Sequence, residues 1–159
     1  MKIYRLVRSV YKDDFSGEGS YLYGGRWNSR GNRVLYATSH ISLAILEIMV
    51  NFDRNMIRQF PQYHLLTFEV DASEVISLSH ESLKSNWQQD IEFTRLIGDE
   101  FLKSKKGLIM AVPSAVIPEE SNYLINIHHP DFQLINILES KVYSLDERLF
   151  TGSISKKAL

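Results

Sequence analysis

The glycines of this chain are concentrated in one short segment. Five of the eight fall between Gly17 and Gly31, a higher density than isolated turns require. Glycine reaches positive φ angles and lets another group approach the main chain closely, so we predict an irregular loop here. Such a loop either binds a ligand or makes a long structural excursion between two regular elements.

Two β-prone segments flank this glycine-rich loop. Residues 3–7 alternate in character, and residues 33–37 form a short β-prone run directly after Gly31, so we expect the loop to join two strands. Further apolar and β-branched runs predict strands at residues 65–70, 75–78, 108–112, 123–127 and 132–138.

Two helices are predicted between these strands. The first covers about residues 40–52, with Ser39 as its N-cap, and the second is an amphipathic surface helix over residues 90–103 that Gly107 ends. The order β, β, α, β, α, β, β, β predicts an α+β fold with a mixed or antiparallel sheet. We expect one domain over residues 1–150 and a frayed polar tail over residues 151–159.

Composition limits the class of protein. A chain of 159 residues with 44% hydrophobic and 23% charged residues is typical of one globular domain. It has no cysteine, which excludes disulfides, thiol nucleophiles and Cys-bound zinc. The longest apolar run, residues 41–50, is far shorter than the ~20 residues of a membrane span. We therefore expect a cytoplasmic protein that does not enter a membrane.

Charge is distributed unevenly along the chain. Residues 1–33 carry seven Lys or Arg against three acidic residues, and the remainder carries eleven against sixteen. A basic region in a nearly neutral domain fits a phosphorylated small molecule at least as well as a nucleic acid, for which a strongly basic domain is expected.

The predicted first helix contains a single charge. At 100° per residue its apolar side chains surround the axis almost completely, and Glu47 is its only charged residue, which predicts a buried helix. A carboxylate there has three explanations: it reaches the surface, it forms a buried ion pair with an arginine, or it is a catalytic group in a pocket.

The glycine-rich loop contains groups suited to a nucleotide. Arg26 lies between Gly25 and Trp27, shortly after Tyr23; a guanidinium binds phosphate oxygens and aromatic rings stack on planar bases. The alternative is a structural turn in which Trp27 anchors the loop to the core. The sequence has neither a Walker A motif nor G-x-G-x-x-G after a strand.

Other motifs indicate no metal site and no serine hydrolase. The histidines show no metal-ligand spacing, and residues 128–131 (HHPD) predict a turn. Ser114 lacks the G-x-S-x-G context of a hydrolase nucleophile, although its hydroxyl can still bind a ligand.

Six sequence blocks, taken in order, resemble the RES-domain family, bacterial toxins of type II toxin–antitoxin systems named for an Arg, a Glu and a Ser. The blocks are FSGEG (15–19), YGGRWN (23–28), VLY (34–36), SLAILE (42–47), VPSAV (112–116) and NYLIN (122–126). The family letters fall on Arg26, Glu47 and Ser114. Asn51 and Ile127 depart from the family pattern, at positions that affect local loop shape.

The resemblance implies a fold similar to ADP-ribosyltransferases, with NAD in a cleft between small sheets. It implies a toxin that degrades cellular NAD, as a substrate with no cofactor, by splitting the nicotinamide–ribose bond. The catalytic residues would be Arg26, Glu47 and Tyr36, where Glu47 stabilises a ribosyl cation. Arg26 would also hold the pyrophosphate. Tyr23 and Tyr36 would contact the nicotinamide end of NAD. Ser114 and Asn122 would bind the ribose or the amide.

The sequence leaves three acceptors of the ribosyl group open, which are water, phosphate and a protein side chain. With a side chain as acceptor the protein would be a protein ADP-ribosyltransferase. A different class, an RNA-binding or RNA-cleaving toxin, is suggested by the basic, aromatic first third but opposed by the acidic remainder. The resemblance implies an Xre-like helix-turn-helix antitoxin as partner. No direct nucleic-acid contact is expected, and a homodimer is left open.

Overall fold

Seven strands and three α-helices form most of the regular structure in the computed structural model, which describes residues 1–52 and 61–149. The strands are β1 (Lys2–Arg8), β2 (Leu35–Thr38), β3 (Tyr63–Glu69), β4 (Val75–Ser77), β5 (Ile109–Pro113), β6 (Ser121–Ile125) and β7 (Asn136–Tyr143). The helices are α1 (Glu18–Tyr23), α2 (Ile41–Val50) and α3 (Ile91–Ser104).

The strands form a mixed sheet in the order β4-β5-β6-β2-β1-β3-β7, in which only β4 and β5 pair in parallel. This confirms the predicted α+β fold with a mixed sheet. The strands β1 and β2 in the middle of the sheet pair only at Tyr4 and Thr38, whereas β1 and β3 pair along their whole length. The sheet is therefore two smaller sheets, β4-β5-β6-β2 and β1-β3-β7, that diverge from one contact.

Each face of the sheet has its own hydrophobic cluster. One contains Ile3, Phe68 and Ile125, and the other contains Trp27, Phe101 and Leu124. The second cluster anchors the glycine-rich loop, because Trp27 is 1% exposed and lies against Trp87 and α3. The burial of these side chains is the main stabilising term that holds the loop in place.

The glycine-rich segment is more regular than predicted. It contains the short helix α1, which follows Gly17 in a left-handed conformation (φ 65°) and ends at Gly24 (φ 70°). The glycines thus start and stop a helical turn, and the prediction of an irregular loop throughout was wrong.

Helix α2 differs from its prediction in two ways. Its N-cap is His40, not Ser39, and no side chain caps it. Only Leu43 and Ala44 are buried, while Val50 is 60% exposed, so the prediction of a buried helix was wrong. The sheet covers α2 on one side only.

Helix α3 follows the prediction more closely. Asp90 caps it by accepting a hydrogen bond from the Phe93 N–H, but it ends at Lys105 in a left-handed conformation rather than at Gly107. Its buried residues are Thr94, Gly98, Phe101 and Leu102. Two further apolar residues of the helix, Ile91 and Leu96, are 42% and 67% exposed.

Near the C-terminus the predicted strand 132–138 begins later than expected. Pro130–Leu134 forms a 3-10 helix and β7 starts at Asn136. The predicted turn at residues 128–131 is confirmed, since His129 accepts a hydrogen bond from the Asp131 N–H. The predicted tail, residues 151–159, lies outside the described residues. No helix within the described ranges is long and apolar enough to cross a membrane.

Candidate active site

A cleft of about 770 Å³ lies where β1 and β2 separate. It is lined by β1, the glycine-rich loop, β2, α2, the first turns of α3 and Asn122 of β6. This volume is in the range of small-molecule sites. Five of the six predicted site residues line it: Tyr23, Arg26, Tyr36, Glu47 and Asn122.

At one end of the cleft Glu47 is held by two neutral donors. Its Oε1 accepts hydrogen bonds from Ser114 Oγ at 2.9 Å and from Asn122 Nδ2 at 2.7 Å. Within residues 1–52 and 61–149, Glu47 forms no ion pair and Oε2 has no hydrogen-bond donor. No arginine in this part of the chain pairs with Glu47, so the described residues do not support its explanation as the buried partner of an arginine. We call Glu47, Ser114 and Asn122 the glutamate end.

The turn after β5 orients the Ser114 hydroxyl. Its oxygen accepts hydrogen bonds from the N–H groups of Val116 at 3.0 Å and Ile117 at 3.2 Å, so its proton points to Glu47. Ser114 is fully buried and does not line the cleft. The sequence had suggested that it contacts the ligand, whereas the structure places it behind the carboxylate.

Asn122 is positioned by the sheet. It lies in β6 opposite Thr38 of β2, which brings its amide to the cleft and to Glu47. Its Oδ1 is buried and has no hydrogen-bond partner among the described residues. A buried acceptor without a partner is costly, so this oxygen is suited to accept a hydrogen bond from a bound ligand.

Arg26 and Arg95 lie at the other end, beside the glycine-rich loop. Arg26 donates from one guanidinium nitrogen to the Gln88 carbonyl at 2.8 Å, and Thr94 Oγ1 donates to the Arg26 carbonyl at 2.7 Å. Arg95 Nε donates to the Gly25 carbonyl at 2.8 Å. Both arginines line the cleft. We call Arg26, Arg95 and the Gly24–Gly25 backbone the arginine end.

The hydroxyl of Tyr36 is bonded within the glycine-rich loop, and the catalytic role expected for it stays a prediction. Its hydroxyl donates to Asn28 Oδ1 at 2.8 Å and accepts from the Trp27 N–H at 3.2 Å. Burial raises the pKa of Tyr36, although nearby Arg95 and Arg26 oppose the rise. The proton is held by Asn28 and does not ionise at physiological pH, so Tyr36 is placed to fix the loop rather than to transfer a proton.

Asn28 organises the loop and was not predicted. It is fully buried, and the two protons of its amide nitrogen are shared among three carbonyl oxygens, those of Ser20, Ser29 and Asn32. Its oxygen accepts from Tyr36. A single amide thus joins both ends of the loop to β2. The position of Asn28 in the GGRWN block was the available signal.

Tyr23 lies on the rim of the cleft. Its side chain is 72% exposed, and it precedes Gly24 at the end of α1. The expectation that Tyr23 shapes the nicotinamide end stays a prediction, because the structure places it beside the arginine end and leaves its ring open to solvent.

Arg5 is a further cleft residue that the sequence reasoning missed. It donates to the Tyr36 carbonyl at 3.1 Å across the gap between β1 and β2, and its buried Nε has no partner among the described residues. Burial lowers the pKa of Arg5, and Asp14 opposes this effect. A detectable signal was a lone cation on the strand face that Ile3 and Val7 share.

The comparisons with family models and with curated proteins agree on one family. The model described as "RES domain" matches residues 2–146. The chain is 34% identical over 154 residues to "Toxin Res" of Yersinia enterocolitica, covering 94% of this chain and 99% of that protein. It is 30% identical over 149 residues to the "Prs ADP-ribosylating toxin" of Sphingobium sp., covering 90% and 91%.

A solved structure has the same fold. The M. tuberculosis MbcT–MbcA toxin–antitoxin complex contains a chain that superposes with a TM-score of 0.72 at 17% identity, covering 94% of this chain and 86% of that one.

Proposed function

The chain belongs to the RES-domain family, and we propose that it acts as a toxin that cleaves the bond between nicotinamide and ribose in NAD. The observation that carries this proposal is the glutamate end: Glu47 has one oxygen fixed by Ser114 and Asn122 and the other without a donor among the described residues. The names of the relatives support a toxin that uses NAD.

The chemistry of NAD matches what Glu47 offers. Nicotinamide is cationic in NAD and leaves as a neutral molecule, so its departure needs no proton donor. The bonding electrons leave with the ring nitrogen, and positive charge develops on the ribose. A fixed carboxylate oxygen beside the ribose stabilises this oxocarbenium-like transition state. This requirement agrees with the commitment of the Tyr36 proton to Asn28.

The arginine end supplies binding. Guanidinium groups form charge-assisted, forked hydrogen bonds with phosphate oxygens, and Arg26 is held in the cleft by Gln88. We propose that Arg26 binds the pyrophosphate together with Arg5, a half-buried residue that lines the same cleft. The substrate then spans both ends, with its reactive ribose next to Glu47.

The ribosyl cation can be captured by water or by phosphate, and we propose one of these two small acceptors. A second candidate, transfer to a protein, is favoured by the relative named for ADP-ribosylation. All three reactions share the same first bond cleavage, so the three differ in product and not in the role of Glu47.

Incubation of the purified protein with NAD tests this proposal. We expect release of free nicotinamide, and mass spectrometry of the second product separates ADP-ribose from its phosphorylated form when phosphate is present. A labelled NAD added with cell extract reports transfer to protein. The Glu47→Gln variant is the matched control for contaminating activity. No release of nicotinamide by the folded wild-type protein under any of these conditions would contradict the proposal.

We also propose an antitoxin partner of the Xre-like helix-turn-helix type that inhibits by covering Arg26. The fold likeness to a chain solved in a toxin–antitoxin complex supports a partner of this kind. Co-purification of the natively expressed protein should recover such a partner and abolish NAD cleavage. A stable complex that cleaves NAD as fast as the free protein would reject blocking of the cleft.

A further inference from the structure

We propose that Arg95 of α3 binds the outer phosphate of the dinucleotide, the one attached to adenosine. This inference rests on the proposed function, since it takes NAD as the substrate. It adds a specificity residue outside the Arg, Glu and Ser that name the family.

The guanidinium of Arg95 is fixed in direction but not neutralised. Its Nε is bonded to the Gly25 carbonyl, which leaves the two terminal nitrogens for another acceptor. Among the described residues Arg95 forms no ion pair. Asp99, one helical turn further along, uses its Oδ1 for the Ser29 N–H at 2.9 Å and Asn32 Nδ2 at 2.7 Å. A fixed cation in a cleft without a counter-ion is suited to bind an anion.

The backbone opposite Arg95 leaves room for that anion. Gly24 has φ +70°, and a Cβ added there would lie 3.4 Å from a terminal nitrogen of Arg95. Any other residue at position 24 would be strained, and its Cβ would come into contact with this terminal nitrogen. Gly24 therefore presents its backbone, and no side chain, beside this terminal nitrogen of Arg95.

Arg95 and Glu47 are connected to different positions along β2. Arg95 bonds Gly25, which packs against the Tyr36 hydroxyl, whereas Glu47 bonds Asn122, which pairs with Thr38. Tyr36 and Thr38 are two residues apart on β2, a distance of about 7 Å along the strand. The group bound by Arg95 thus lies further along the substrate than the ribose at Glu47.

Arg5 and Arg95 lie at different depths in the cleft, and this difference assigns each of them to one phosphate of the dinucleotide. Arg5 is half-buried between β1 and β2, with its Nε fully buried, which suits the inner phosphate next to the reactive ribose. Arg95 lies at the mouth of the cleft, where Tyr23 is 72% and Ile91 is 42% exposed. These two side chains offer an apolar surface for a planar base. The outer phosphate and the adenine therefore fit this mouth.

The test compares Arg95→Gln with Arg30→Gln, a control at an exposed arginine of the same loop that does not line the cleft. Titration calorimetry with ADP-ribose and steady-state cleavage of NAD are measured for both variants. We expect Arg95→Gln to weaken ADP-ribose binding and raise the KM for NAD about ten-fold, with kcat within about two-fold. Inhibition by free nicotinamide, which has no phosphate, should not change, and Arg30→Gln should resemble the wild type.

An unchanged KM and ADP-ribose affinity in Arg95→Gln would overturn this inference, as would a fall in kcat with equal loss of nicotinamide inhibition, which indicates a general distortion. The two proposals fail separately. A wild-type protein that binds ADP-ribose through Arg95 but releases no nicotinamide contradicts the cleavage reaction and supports the phosphate site. A protein that cleaves NAD equally well with and without the Arg95→Gln substitution supports the cleavage reaction and contradicts the phosphate site.

Discussion

The two ends of the cleft use polar side chains in opposite ways. At the glutamate end Ser114 and Asn122 both donate to one oxygen of Glu47 and leave its second oxygen unbonded within the described residues. Beside the arginine end the Tyr36 hydroxyl and the Asn28 amide are engaged in holding the loop, and Arg26 and Arg95 supply the positive charge of the cleft lining. Under the proposed function, the bond is cleaved at the glutamate end and the arginine end binds the substrate.

Gly25→Ala should have the largest effect at the arginine end. An added Cβ would lie 2.7 Å from the Tyr36 hydroxyl and 2.8 Å from Asn28 Oδ1, and these two groups are bonded to each other and cannot retreat. A displacement of about 1 Å can cost about a hundred-fold in rate, so we expect a loss of this size in kcat/KM.

Gly19→Ala is the matched control. An added Cβ there meets nothing within 4 Å, and Gly19 lies inside α1. Alanine should leave NAD cleavage unchanged and raise stability by about 0.5–1 kcal/mol. Equal activity of both variants would show that the loop does not position the substrate.

Ser114→Ala tests the glutamate end with a smaller expected effect. Loss of one donor frees Glu47 to rotate, and we expect kcat to fall about ten-fold with little change in KM. The variant also leaves two N–H groups, of Val116 and Ile117, without their acceptor, at a cost of about 1–3 kcal/mol in unfolding free energy. A rise in KM at constant kcat would instead place Ser114 in substrate contact.

Tyr36→Phe distinguishes loop support from proton transfer. Removal of the hydroxyl deletes two hydrogen bonds of the loop, so we expect a loss of about 1 kcal/mol in stability and a KM raised a few-fold. The pH profile of kcat should keep its shape. A kcat that falls about a hundred-fold would restore a catalytic role to Tyr36.

Asp90→Asn should have the smallest effect and acts through α3, which carries Arg95. The Phe93 N–H, with help from Lys84, holds the pKa of Asp90 below its usual value. A lowered folded-state pKa stabilises the protein above about pH 4, and the gain is lost as pH falls through that lower pKa. Thermal unfolding should therefore separate wild type and variant slightly at neutral pH and not at strongly acidic pH. A difference that persists in acid would indicate lost capping geometry instead of charge.

The sequence predicted where the strands and helices lie better than it predicted which of their side chains are buried. Alternation and β-branched runs located the strands because these signals are local. The burial of α2 was overestimated because the sequence shows that its side chains are apolar but does not show that the sheet covers only one side of the helix. Helix α1 was missed because glycines at its ends were interpreted as loop residues throughout.

The site residues show the same limit. Glu47 stood out locally as the one charge in an apolar helix, but Ser114 and Asn122 are 67 and 75 residues away, and nothing in their spacing brings them to it. They were named from family resemblance. Arg5 and Arg95 were missed because their importance comes from the divergence of β1 from β2 and from the approach of α3 to Gly25.

Equilibrium binding of NAD to the Glu47→Gln variant tests the division of labour most directly, because an inactive variant holds its substrate intact. Glutamine keeps an oxygen for Ser114 and Asn122, so the variant should fold, lose about a hundred-fold or more in turnover, and bind NAD with a Kd near the wild-type KM. Adding Arg26→Ala should weaken that binding about ten-fold. The account would be contradicted if Glu47→Gln abolished NAD binding. It would also be contradicted if adding Arg26→Ala left the Kd for NAD unchanged.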